Sequence, residues 1–324
     1  LSQKLYTLIN LAGLSVGLTC FILIMIFVQY ELSYERFFDK AERIYRISQD
    51  IHSSDGSPEL LLASNSPQAG PRLKAEFPQV EQAARVRPWL APVSRNDGEQ
   101  SFADALVADP EIFAIFDFVW LRGSPEGALA EPDSVVLTAT AARRFFGDDD
   151  AVGQSLVLAN SFPVGVVGVI EDLPQNTHLR FDMLAPMAMA TSVFATNALE
   201  NWTWRSYYTY VLLAEGSDIA DLEVQFPGFF DPYLQAGGAS SAFSLTATPL
   251  TDIHLHSNRQ SELSPPGSMA TVNAFIVIAL LVLLVACMNF MNLSTLKAVK
   301  TAREDGMCKV LGGLKSQIML RHGG

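Results

Sequence analysis

Two long runs without a charged side chain constrain this chain more than any other feature. Between Lys4 and Glu31 lie 26 such residues. Leu11 to Tyr30, LAGLSVGLTCFILIMIFVQY, alone supplies the roughly 20 residues that a helix needs to cross a hydrocarbon core. The second run lies between Glu262 and Lys297. Its opening, SPPGS, breaks a helix, so the span is expected from about Ala270 through VNAFIVIALLVLLVACMNFMNL. Composition agrees, since 49% hydrophobic residues and a mean hydropathy of +0.22 exceed what a globule in water needs. The other reading of the first run is a signal peptide, but it is long for that and no convincing small-x-small cleavage site precedes Glu31.

Orientation follows from the flanking cations. Lys297, Lys300, Arg303, Lys309, Lys315 and Arg321 follow the second run and mark a cytoplasmic face, and Lys4 before the first points the same way. Both ends then lie inside, with residues 31–270 outside. Of 22 basic and 34 acidic residues, the inner pieces hold seven and two, which leaves the outer part with 15 and 32, a net charge of −17. Such a surface repels nucleic acid and anionic headgroups. Cys20 and Cys287 fall in the spans and Cys308 in the tail, so the outer part has no disulfide and must hold itself together by its core.

That outer stretch shows neither a low-complexity linker nor an obvious repeat. ELSYERFFDKAERIY is expected as a helix continuing outward from the first span to about Lys40, and YRISQDI alternates like a strand. PQAGPRLKAEFPQV holds a short helix between prolines, and AARVRPW is strand-like. FADALVADPEIFAIFDFVWLRG reads as strand, turn and aromatic-rich helix. SVVLTATAARRFFGDDDAVGQSLVL combines a strand, a Thr138 N-cap, a helix closed by Gly147 and a new strand. FPVGVVGVIEDLP is a strand with Gly165 and Gly168 at a bulge or a close backbone approach. YYTYVLLAE and FSLTATPLTDIHLHS are strand-like, and DIADLEVQFPGFFDPYL is helical on both sides of Pro227. This irregular alternation predicts an α+β domain of two lobes.

Several motifs carry two readings. In DIHLHS, Asp252, His254 and His256 would share one strand face as zinc ligands sometimes do, but no fourth ligand or H-E-x-x-H helix appears, which favours a half-buried strand with Ile253 and Leu255 inward. GDDDAVG lacks the acid spacing of a calcium loop and reads as a solvated turn. NWTWRSYYTYV could bind sugar or graze a bilayer; the alternation in YYTYV suggests a strand with one buried face. Gly13 and Gly17 form a small-xxx-small pair suited to close helix packing. No nucleophile elbow, Walker loop or dinucleotide fingerprint is present, so an enzyme, metal or cofactor reading has no anchor. Beyond the second span, Met307, Val310, Leu311, Leu314 and Ile318 make an apolar stripe interrupted by Gly306, Gly312 and Gly313. The stripe suits either a partner's groove or an anionic lipid surface.

The tail also carries a resemblance. AREDGMCKVLGG is similar to the R-E-I-G-V-R-K-V-L-G-A loop of MacB/FtsX-type ABC transporter permeases, with Arg303, Glu304, Gly306, Lys309, Val310, Leu311 and Gly312 matching. LYTLINLAGLSVGL, YERFFDKAERIYRI, LTATAARRFFGDDDAVGQSL, GVIEDLPQNTHLRFDMLAPM and PLTDIHLHS resemble other parts of that family. Asp305 and Cys308 depart from its loop.

The resemblance implies a multi-pass protein of the bacterial cytoplasmic membrane that is not itself an enzyme, since ATP is hydrolysed by a separate ABC ATPase. It implies a cytosolic segment 1–10, spans 11–30 and 270–295, a MacB-like core domain 31–269 with a porter-like βαβ lobe and a second lobe, and a cytosolic coupling segment 296–324. The matching tail residues would dock the ATPase. Glu31, Tyr34, Phe37 and Phe38 would lie on a helical stalk that converts tilt into displacement. The partners implied are the ATPase, a second permease in a homo- or heterodimer, the bilayer and a periplasmic adaptor. Family members have four spans per unit, so this chain is expected to be a piece of a longer permease. The other class of function open to the residues alone is a two-span sensor or ligand-binding module without ATPase coupling.

Overall fold

The computed structural model describes residues 2–53, 55–95, 98, 100–234 and 242–310. The chain divides into two units, Leu1–Leu32 with Met269–Gly324, and Ser33–Ser268. The first apolar helix spans Ser2–Leu32 and stops well short of Lys40. Residues 33–40 are turns. The expected helical stalk is therefore absent from this stretch, and the reason is local: Glu35 adopts φ +61 and its N–H bonds to Asn176 O at 3.1 Å, outside any helical ladder.

In the Ser33–Ser268 unit the strands are β1 (Ile44–His52), β2 (Pro58–Leu62), β3 (Val80–Ser94), β4 (Gln100–Ala108), β5 (Trp120–Arg122), β6 (Ser134–Thr138), β7 (Ser155–Leu158), β8 (Phe162–Ile170), β9 (Met183–Pro186), β10 (Tyr208–Leu213) and β11 (Phe243–Pro249). Their order is β11-β1-β10-β3-β4-β9-β6-β8-β5, with β2 on β1 and β7 bridging β3 and β8. Because β7 joins those two, β3, β4, β9, β6, β8 and β7 close into a ring. Val93, Ala105, Leu137, Leu158, Val166 and Met183 belong to one buried cluster with this ring, and its alanines at 91, 103, 105 and 185 let so narrow a closure fill itself with side chains. β6, the helix Ala139–Phe146 and the parallel strand β8 form a βαβ unit.

The second lobe is an open wing of β11, β1 and β10, backed by Leu73 and Phe77 around the helix Ala69–Glu76 and by Phe226, Phe229 and Phe230. β3 belongs to both lobes, since its first half pairs with β10 and its second half with β4 and β7. A buried ion pair fastens this shared strand, with Arg85 Nε 2.7 Å and Nη2 2.8 Å from the two carboxylate oxygens of Asp109.

Several local expectations hold. Thr138 Oγ1 accepts from Ala141 N at 3.2 Å, and Gly147, at φ +67, closes the helix whose buried face is Ala141, Ala142, Phe145 and Phe146. β8 slips register against β6 between Val135 and Val136, and a Cβ on Gly168 would lie 2.4 Å from Trp120 Cζ3. Others fail for identifiable reasons. The aromatic-rich helix is only Ile112–Ile115, because Phe116 and Phe118 continue extended into the core. YYTYV is buried on both faces, since alternate residues of β10 enter different clusters, Tyr208, Tyr210 and Leu212 one and Val211 and Leu213 another. DIHLHS is not a strand: β11 ends at Pro249, and Leu250–Asp252 and Ile253–His256 form helical turns with Ile253 and His254 buried.

The other unit pairs the first helix with the helix Met269–Val310. Their stretches Leu11–Leu32 and Met269–Asn292 are apolar and long enough to cross a membrane. A Cβ on Gly17 would come 3.0 Å from Ala286 Cβ, and one on Gly13 3.1 Å from Asn289 Nδ2, so the backbones meet where side chains are smallest. The second helix runs on through Gly306 without interruption, since a helix already propagating absorbs the roughly 1 kcal/mol that glycine costs.

Two glycines at φ +75 separate strain from crowding. A Cβ on Gly123 would lie 2.4 Å from Val167 O, whereas one on Gly127 meets nothing within 4 Å. Gly127→Ala is expected to cost about 1 kcal/mol from the left-handed backbone, and Gly123→Ala about 2 kcal/mol more, because β5 must move off β8. Urea denaturation of the detergent-solubilised chain, followed by tryptophan fluorescence, measures the difference; equal midpoints for the two variants would refute it.

Candidate functional site

Whatever passes between the apolar helices and the folded domain along the chain must pass through two short stretches, 33–43 and 257–268. Each carries polar side chains that the domain buries.

At the first root, Glu35 is fully buried. Its Oε2 accepts from Thr177 Oγ1 at 2.9 Å, its Oε1 accepts from His178 N at 2.6 Å, and His178 Nδ1 lies 2.8 Å from the same oxygen. A carboxylate can only accept, so Nδ1 carries the proton that points at it. Nε2 then faces the Tyr210 hydroxyl at 2.5 Å, which donates to it in the neutral ring. Asn176 completes the grip, its Nδ2 donating to Ser33 O at 3.0 Å and to Ser33 Oγ at 2.9 Å. Buried charge is tolerable here because three donors replace its water. Burial pushes the Tyr210 hydroxyl well above its ordinary value; Arg46 opposes this, and Glu35 and Glu262 add to it.

At the second root, Arg46 on β1 is fully buried and forks onto the carboxylate of Glu262, with Nη2 3.0 Å from Oε1 and also 3.0 Å from Ser257 Oγ. Ser257 bonds Glu262 in turn. Tyr208 donates to Ser261 O at 2.7 Å, Gln260 N to Leu61 O at 2.8 Å, and Ser264 Oγ to His178 O at 2.5 Å. Removing one partner of such a buried pair costs about 3–5 kcal/mol, so each group keeps the other in place.

The sequence-predicted residues are placed differently. Tyr34 stacks on His254 with ring centroids 3.4 Å apart, and Phe38 packs edge-on to Phe116 at 5.0 Å, so both belong to the domain's packing rather than to a stalk. Phe37 is partly exposed, and Glu31 lies in the last turn of the first helix. His254 points into the domain while His256 is exposed beside Asp252, 3.5 Å away, which ends the shared-face zinc reading; among the described residues no three metal-binding side chains gather. Arg303 is exposed on the second helix, which also carries Glu304, Gly306, Lys309 and Val310; Leu311 and Gly312 lie outside the described residues.

Sequence reasoning missed Glu35, Arg46, His178, Tyr210 and Glu262. A signal for one of them existed. In IYRIS, Arg46 occupies the same strand face as the buried Ile44, and an arginine in an inward position calls for a buried anion.

Residues 7–227 match the family described as the MacB-like periplasmic core domain. A domain ascribed to a permease protein of Porphyromonas gingivalis superposes with a TM-score of 0.59 at 24% identity, over 75% of this chain and all of that one, which speaks to the fold. The periplasmic region of MacB from Actinobacillus actinomycetemcomitans aligns with a TM-score of 0.45 at 12% identity, over 65% of this chain and 90% of that one. The extracellular domain of the noncanonic ABC-type transporter YknZ from Gram-positive bacteria aligns with a TM-score of 0.45 at 13% identity, over 63% and 99%. No curated protein matches. With more than half of its length matched, the chain belongs to the family of MacB-like periplasmic core domains.

Proposed function

We propose that this chain is a permease component of an ABC-type transporter, and that it conveys movement driven by a separate ATPase across the bacterial cytoplasmic membrane to its outer domain, for export or extraction of a substrate. The observation that carries this reading is the buried, hydrogen-bonded charge at both roots. A mechanical relay needs a link that does not absorb displacement, and buried charge held by several hydrogen bonds at once is such a link. Family membership and two membrane-length helices support it.

In this reading the stiff element is not a helical stalk but the pair of clamps at 33–35 and 257–262. Arg303, Glu304, Gly306, Lys309, Val310, Leu311 and Gly312 form the ATPase-docking segment, with Glu304 and Lys309 supplying charge and the glycines close approach. Gly13 and Gly17 let the two spans move as one body. A second permease completes a homo- or heterodimer in the bilayer, and a periplasmic adaptor engages the outer domain.

Two outcomes are expected. Co-purification of the full chain with an ABC ATPase encoded beside it is lost on Glu304→Lys and on Gly306→Pro; an ATPase retained equally by both variants removes the docking role from this segment. In the assembled complex, addition of ATP changes the rate at which a protease cuts the outer domain. Glu35→Gln abolishes that nucleotide-dependent change while ATP hydrolysis stays within about twofold of the unaltered complex, because the clamp acts downstream of the ATPase. A nucleotide response that survives Glu35→Gln unchanged counts against the clamp as the relay.

A further inference from the structure

The two clamps are not independent pieces of chemistry, because they end on one rung of the sheet. Arg46 on β1 and Tyr210 on β10 are directly opposed across the antiparallel ladder, so their side chains share a face. Arg46 holds the second root through Glu262 and Ser257, and Tyr210 holds the first through His178 and Glu35. We propose that the rung Arg46–Tyr210 couples the two membrane-helix roots, so that loosening one loosens the other.

The chemistry of the rung supports this. The Arg46 side chain spends its terminal nitrogens on the second root, while its Nε is buried with no hydrogen-bond partner. If Glu262 withdraws, a fully buried guanidinium is left without its anion and cannot stay where it is. Its neighbour across the rung is Tyr210, whose hydroxyl forms one described hydrogen bond, to His178. A shift of the Tyr210 ring lengthens that bond, and the imidazole it releases is the one that faces Glu35. The influence of Arg46, Glu35 and Glu262 on the Tyr210 hydroxyl places all four groups within electrostatic reach of one another. A direct path also exists, since Ser264 of the second root donates to His178 O at 2.5 Å. The two paths can be told apart.

The mechanical reading gives this coupling its purpose, but the coupling belongs to the chain alone and is tested without nucleotide or ATPase. Hydrogen exchange of the full chain in lipid nanodiscs is followed by mass spectrometry. Glu262→Gln is expected to speed exchange in residues 33–38 and 176–179 by about threefold to tenfold, although Glu262 touches neither segment. On a Tyr210→Phe background the same substitution moves those segments less than about twofold, whereas on a Ser264→Ala background its effect persists. Asp109→Asn, which breaks the buried pair with Arg85 elsewhere in the domain, leaves them unmoved. Should Glu262→Gln fail to fold, Ser257→Ala removes one acceptor of Arg46, keeps the ion pair and carries the same comparison. The proposal is overturned by exchange that changes only in 257–264 and β1, by an Asp109→Asn effect of equal size at 33–38, or by an effect that Ser264→Ala removes and Tyr210→Phe does not. Loss of ATPase binding in tail variants would leave each of these outcomes standing, so failure of the mechanical reading and failure of the coupling are separable.

Discussion

A carboxylate with no access to water decides how this chain enters its outer domain. Glu35 follows the first apolar helix by three residues, and a helix continued through it would carry the side chain away from Thr177 and His178. Once buried, the charge must find donors or cost several kcal/mol, so the backbone turns left-handed and the loop at 176–178 folds over it. The break in the helix is the consequence. In place of a continued helix stands a short turn whose buried carboxylate is held by three donors in a dry site.

The exit from the domain is solved with the opposite charge. Arg46 sits in the middle of β1 and waits for Glu262, which arrives more than two hundred positions later in the chain. Neither residue is stable where it is without the other, so the pair pins residues 257–262 to β1. The wing is joined to the ring by the unbroken run of β3, so a pull on residues 257–262 is borne by both lobes.

Much of the fold was legible in the sequence, and the boundary of legibility is physical. Local chemistry could be read, because Thr138 and Gly147 act on neighbours a few residues away, and a glycine inside a strand such as Gly168 announces a close approach even though its partner, Trp120, is distant. The membrane-length helices could be read from charge alone. What escaped depends on partners distant in sequence. The β7 bridge that closes the ring is only four residues long and is specified by pairings with β3 and β8, and the burial of both faces of YYTYV follows from two side-chain clusters, one over each face of β10. The site escaped for the same reason. Glu35 lies 143 positions from His178, and only Arg46, in line with Ile44, broke a local pattern. DIHLHS misled because alternation in so short a segment is compatible with a helical turn, and a proline had already ended the strand.

The arrangement also explains why so acidic a domain can afford buried anions at both roots. Glu35 and Glu262 are each taken out of the field of the other surface carboxylates and paired with groups that are themselves anchored in strands, Tyr210 through His178 in one case and Arg46 in the other. Surface ion pairs such as Lys40 with Asp117 are screened by salt and contribute little. The buried ones are not screened, so their geometry is insensitive to the ionic strength outside the cell. The geometry at both roots is set by donors and acceptors inside the protein, while the net negative charge of the surface acts on the solvent side alone.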